Sequence, residues 1–203
     1  MRKALALLTL TVTAALAASC GATRPSRYYA LELPATNTAA PSVLPVALLV
    51  ARVTAPQILR DDRIAYRSSA TEIGMYEYHR WSEPPGTMLE ALLVRRLRAD
   101  GRYRSVQSLT SNAEGDYILR GRLHQFEEVA GSGGVAARVA LEMELFEKKS
   151  GTVVWNNLFN AEETVGVKEV PAVVDAMNRS THRVLDQVAS GLAQHFAQHP
   201  PKK

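Results

Sequence analysis

VAARVALEMEL, residues 135–145, alternates along its length: Val135, Ala137, Val139, Leu141, Met143 and Leu145 are apolar, and Arg138, Glu142 and Glu144 fall among the residues between them. A period of two places the two sets on opposite faces of an extended chain. The segment therefore predicts an antiparallel strand with one buried and one wet face. Turn formers bound it: AGSGG (130–134) on one side and Lys149-Ser150-Gly151 on the other. The flanking segments are expected to pair back on it. These are residues 116–129, with Tyr117, Leu119 and Leu123 on one face, and residues 152–164, which carry Trp155.

Beyond this meander, residues 171–198 read as one long helix. Val173, Met177, Val184, Val188, Leu192 and Phe196 share a stripe, while Asp175, Arg179, Arg183 and Asp186 solvate the rest. Upstream, Pro84-Pro85 open a second helix, where a missing N–H costs little. Met88, Leu89, Leu92, Leu93 and Leu97 recur at helical spacing as far as Asp100, and Gly101 suits its C-terminal cap. Earlier strands are expected at 28–33 (YYALEL), 43–53 (VLPVALLVARV), 63–67 and 72–78, with a loop over 35–42. No segment repeats, and 199–203 reads as a tail. The expectation is a single α/β (α+β) domain over 28–198, with a meander-rich sheet, one middle helix and one long C-terminal helix against it.

The start of the chain reads differently. Arg2 and Lys3 precede an uncharged stretch from Ala4 to Ala18, and Ala17, Ala18 and Ser19 lead into Cys20. Basic, apolar and small residues in that order predict a signal peptide over 1–19. The apolar run is shorter than the ~20 residues a membrane-crossing helix needs, which disfavours a retained anchor. Cys20 is the only cysteine. A lone thiol in an oxidising compartment invites mispairing unless it is alkylated, which also argues against a plain secreted protein cut after Ser19. Leu16-Ala17-Ala18-Ser19-Cys20 resembles the lipobox of bacterial lipoproteins, with Ala17 where Leu is usual. Cys20 is thus expected to be the diacylglycerol-modified, palmitate-bearing first residue of the mature protein, and 20–27 its tether. At about 0.8 kcal/mol per buried methylene, two or more acyl chains hold a protein on its membrane. Gly21 stands where lipoproteins retained at the inner membrane often carry Asp, which by that resemblance points to the periplasmic face of the outer membrane.

The chain has 24 basic and 20 acidic residues, and removal of 1–19 takes only Arg2 and Lys3, leaving 22 and 20. That balance is too even to imply nucleic acid. Nor is a catalytic set visible. His195 and His199 are four apart, as zinc ligands on a helix can be, but Pro200-Pro201 end the helix and no third ligand is near. His124 and His182 have no site-like neighbours, and no nucleophile elbow or phosphate loop occurs. Glu142 and Glu144 alternate with core residues and keep one sheet face wet. No metal or cofactor is expected. The one dense basic cluster is Arg95, Arg96, Arg98, Arg102 and Arg104. It serves either as favourable charge at a helix C-terminus or, through Arg95, Arg98 and Arg102, as a contact for lipid phosphate or an acidic partner.

Several stretches in order resemble the ABC-type transport auxiliary lipoproteins, a family that includes paraquat-inducible protein C. They are Tyr28-Tyr29-Ala30-Leu31 after the lipobox; Ala55-Pro56-Gln57-Ile58-Leu59-Arg60-Asp61 followed by Arg63-Ile64-Ala65-Tyr66-Arg67; His79-Arg80-Trp81-Ser82-Glu83-Pro84 at the opening of a helix; and Tyr117-Ile118-Leu119-Arg120-Gly121. The resemblance covers nearly all of 16–198. It implies a three-layer domain with a mixed, largely antiparallel sheet, similar to the N-terminal domain of TolB. It also implies a non-enzymatic role beside an ABC transporter permease and ATPase and an MCE-domain protein, moving lipids or other apolar molecules, with self-association into a ring within the family's range. Two other readings stay open: an assembly factor for outer-membrane proteins, and a lipid-anchored envelope hydrolase.

Overall fold

The computed structural model describes residues 24–33, 43–109, 112, 114–131 and 134–201. The signal peptide expected over 1–19, Cys20, the loop expected over 35–42 and the centre of the AGSGG turn lie outside the described residues. The alternating segment is strand β7 (Gly134–Glu147), flanked antiparallel by β6 (Tyr117–Gly131) and β8 (Thr152–Val165). All six of its predicted core residues are buried.

The remaining strands are β1 (Arg27–Tyr29), β2 (Leu44–Val50), β3 (Arg63–Arg67), β4 (Ile73–Trp81) and β5 (Tyr103–Ser108), completing a mixed open sheet of eight. Its free edge of β6 has two partners. Residues 117–119 pair with β2, and residues 127–129 pair with β3, both in parallel. Between them the β6–β7 register shifts at Leu123/Gln125. A bulge there adds twist and a bend, so one edge can serve two strands. Thr54 bridges to Arg122 in the gap, and its N–H donates to the Gly121 carbonyl at 2.9 Å. β5 then lies beside β2, β4 antiparallel beside β3, and β1 parallel on β4. Four of the ladders are parallel, but the long ones are antiparallel.

Helix α1 (Pro85–Ala99) begins on Pro85, and Gly101 takes φ 63° just beyond its end, which a β-carbon would resist. Gly86 lets the first turn approach the chain just beyond β2: a β-carbon there would stand 2.6 Å from the Val53 carbonyl oxygen. Helix α2 (Val170–Gln198) buries Val173, Met177, Val184, Val188, Leu192 and Phe196, as its stripe predicts. Such side chains contribute roughly 1.5–3 kcal/mol each, which anchors the helix far more firmly than its propensity does. α2 rests on β7 and β8, α1 rests on β5, and the two helices touch, with Arg96 Nε donating to Asp186 at 2.6 Å. One face of the sheet carries both helices, because elements on opposite faces could not meet in this way. The expected α+β domain, a mixed sheet with one middle and one long C-terminal helix against it, is the one observed.

Strand β5 is absent from the sequence-based expectations. The first strand is also shorter than expected, ending at Tyr29, although Leu31 is buried beyond it. The core is one cluster running from Leu48 and Ile64 through Trp81, Leu89, Leu93 and Leu97 to Phe196. Trp81 is fully buried edge-on to Phe126, with ring centroids 5.3 Å apart, and Tyr103 and Tyr117 both meet Phe196 edge-on.

Candidate functional site

The arginine cluster is the first place to look, and the structure disperses it. Arg95 reaches the Leu33 carbonyl at 3.4 Å, and Arg96 pairs with Asp186. Arg98 Nε donates to the Val106 carbonyl at 2.7 Å, tying α1 to β5. Arg102 binds Asp100 at 3.2 Å, and Arg104 binds Asp116 at 3.2 Å. Each of the five guanidiniums is thus directed to a partner within the chain, and Arg96 and Arg102 also share Asp100.

The histidines also have local partners. His79 Nδ1 lies 2.9 Å from the Tyr29 hydroxyl, a geometry that suits O–H donation to a neutral ring. Tyr29 stacks on the same ring, and Tyr76 meets it edge-on, so the aromatic nest fastens β1 to β4. Burial, then the charges of Arg27 and Arg24, hold the His79 pKa below its ordinary value. His124 Nε2 contacts Glu142 at 2.9 Å, and that hydrogen bond, with a second from Asn156, lowers the Glu142 pKa. His182 contacts the Glu32 carbonyl. His195 and His199 stack at 4.9 Å, and burial followed by the His199 charge lowers the His195 pKa. No group of three or more potential metal-ligating side chains occurs among the described residues.

Those two histidines help line the larger groove, about 980 Å³, with Asp116, Tyr117, Lys148 and Lys149, at the end of the domain where α2 finishes. The other end receives the start of the chain. β1 runs parallel to β4, so the residues before Arg27 come from the end where β4 begins and where the β3–β4 and β6–β7 hairpins turn. The Arg24 guanidinium is held 5.4 Å over the Tyr78 ring. Cys20 is four residues earlier, within about 13 Å at ~3.3 Å per residue. The domain therefore receives the start of the chain at one end and bears the larger groove at the other. No helix among the described residues is long and apolar enough to cross a membrane.

A second, smaller groove of about 380 Å³ opens on the sheet face that carries no helix. Arg52, Arg120 and Arg122 line it, opposite Glu142 and Glu144. Arg120 and Arg122 are two apart on β6, and their neighbours Leu119, Gly121 and Leu123 are buried, so the alternation alone marks both as outward-facing. Arg52 comes from just beyond β2 and joins them because β2 lies parallel against β6. Nothing in the sequence around Arg52 reveals this meeting.

The sequence matches the family model of the ABC-type transport auxiliary lipoprotein component over residues 29–189. No curated protein sequence matches the chain. Among solved structures, protein XCC0632 from Xanthomonas campestris superposes with a TM-score of 0.78 at 24% identity, over 86% of this chain and 98% of that one. An uncharacterised protein of known structure superposes with a TM-score of 0.64 at 18% identity, over 83% and 99%. At these identities the structural likeness shows the fold alone. The family match begins inside β1 and takes in every later strand, all of α1 and most of α2. The chain belongs to the ABC-type transport auxiliary lipoprotein family.

Proposed function

We propose that this protein is a lipoprotein anchored through acylated Cys20 to the periplasmic face of the outer membrane, where it serves an MCE-type ABC transport system as a docking component without catalysis of its own. The observation that carries the reading is the family match over residues 29–189. It spans the folded domain and starts nine residues after the lipobox cysteine. Gly21 supports the outer over the inner membrane. The short reach from Cys20 to Arg24 supports a domain held close to its bilayer by one end, with the 980 Å³ groove turned toward arriving partners.

In vivo crosslinking and affinity purification from native membranes is the test. An MCE-domain protein, a permease and an ATPase are expected in the eluate, and their joint absence would end the reading. Acylation is checked separately: a Cys20→Ser precursor should lose its acyl label and resist the lipoprotein signal peptidase. Changes in outer-membrane protein levels with lipid asymmetry intact, on deletion of the gene, would favour an assembly role instead.

A further inference from the structure

We infer that the groove between Arg52, Arg120 and Arg122 binds the phosphodiester headgroup of an amphiphile. The cations of this groove are uncommitted. Arg52 and Arg122 are exposed and have no hydrogen bond or ion pair among the described residues, and Arg120 lies only over the Phe146 ring, at 4.4 Å. Most of the other described arginines are bound to a carboxylate or a carbonyl within the chain, including all five of the run from Arg95 to Arg104. Three unsatisfied guanidiniums on one cavity are a concentration of free donors. Planar guanidinium forks match the oxygens of phosphate, and bonds of this charge-assisted kind are the strong ones.

The charges of the groove do not balance. Glu142 and Glu144 face the arginines, yet neither carboxylate comes within salt-bridge distance of them. Glu142 accepts from His124 at 2.9 Å and from Asn156 at 3.2 Å, and Glu144 accepts from Asn156 at 3.4 Å. Three cations against two carboxylates leave one positive charge, which a phosphodiester, with its single negative charge, neutralises. The Thr54 hydroxyl and amide are both spent on the Gly121 carbonyl, so the groove offers donors from its arginines rather than from its backbone.

The same sheet face carries apolar side chains beyond the groove. Arg122 pairs across the sheet with Glu142, and Glu142 with Leu158; Ile118 pairs with Phe146, and Phe146 with Val153. Leu158 is 56% exposed and Val153 48% exposed. Cations with exposed apolar side chains two strands away on the same sheet face suit a ligand that is itself half charged and half apolar. Arg122 also lies nine residues along β6 from Gly131, at the end that receives the start of the chain, about 30 Å at ~3.3 Å per residue. A domain standing on its tether would hold the groove away from the anchoring bilayer, so the headgroup would arrive on a carried lipid. In naming a carried lipid, the inference rests on the transport reading; the binding itself does not.

The full mature chain with Cys20→Ser, free of acyl chains and detergent, is titrated with monomeric dihexanoylphosphatidylglycerol, inorganic phosphate and hexyl maltoside, following the arginine side-chain Nε signals by NMR. Saturable shifts of Arg52, Arg120 and Arg122 with the lipid are expected, tighter than with phosphate, while Arg96 and Arg98 stay still. Arg52→Gln/Arg122→Gln should weaken lipid binding about tenfold or more. Equal affinity for phosphate would reassign the site to a free phosphate ester, and equal affinity for the maltoside would reduce it to an apolar surface; either overturns the proposal. So would unmoved signals, or unchanged binding by the double variant. Any of these failures leaves the recovery of transporter components untouched, and absence of those components leaves the binding untouched.

Discussion

Two groups of arginines in this molecule have opposite histories. Arg95 to Arg104 are crowded in sequence, and each one is spent on a partner within the fold. Arg52, Arg120 and Arg122 are scattered in sequence and crowded in space, and the carboxylates beside them do not claim them. Density along the chain therefore says little about which cations are available to a ligand. What decides it is the supply of carbonyls and carboxylates that the fold brings within reach. The C-terminal end of α1 is rich in these, with Asp100, Asp186 and the edge of β5 close by.

The largest effect that sharpens this comparison comes from an arginine more deeply committed than either group. Arg67 holds Glu127 with two hydrogen bonds, at 2.7 and 3.2 Å, and Glu127 is only 1% exposed. Arg67→Ala would leave a buried carboxylate without its counter-charge, at a cost of about 3–5 kcal/mol. Urea denaturation should show this as a large drop in midpoint. A loss below about 1 kcal/mol would mean that Gln125, which lies 3.4 Å from the same carboxylate, supports it alone.

Arg98 is the next step down. Its bond to the Val106 carbonyl joins α1 to an edge strand, where water can partly take its place. Arg98→Ala is expected to cost about 1–2 kcal/mol by denaturation. It should also leave the phosphatidylglycerol titration unchanged, which separates an arginine that holds the fold from one that holds a ligand.

How far the sequence discloses such distinctions depends on the range of the forces involved. β7 is legible because alternation is local, and α1 and α2 because their stripes and the prolines at their starts are local too. β5 is not: Arg104, Ser105 and Gln107 lack a strand's apolar pattern, and its place comes from parallel main-chain pairing with β2, whose partner residues are more than fifty positions away. The meeting of α1 and α2 through Arg96 and Asp186 escapes notice for the same reason. The lipidation proposed at Cys20 stands at the other extreme, because it rests on five consecutive residues. The smaller groove is half legible. Arg120 and Arg122 follow from alternation along β6, whereas Arg52 needs the β2–β6 register.

The smallest expected effect is the most discriminating. Arg52 and Arg122 form no hydrogen bond or ion pair among the described residues, so replacing both with Gln removes no partner and exposes no buried charge. Surface substitutions of this kind usually stay within about 0.5 kcal/mol. The double variant should therefore unfold at the wild-type urea midpoint while losing its lipid. By contrast, Arg102→Ala, which breaks a partly exposed pair with Asp100, should cost up to about 1 kcal/mol and leave lipid binding intact. If the double variant instead lost 1 kcal/mol or more, the Arg52–Arg122 pair would belong with the structural arginines, and the contrast between the two groups would collapse. Unchanged stability together with lost binding is the outcome that only a ligand site explains.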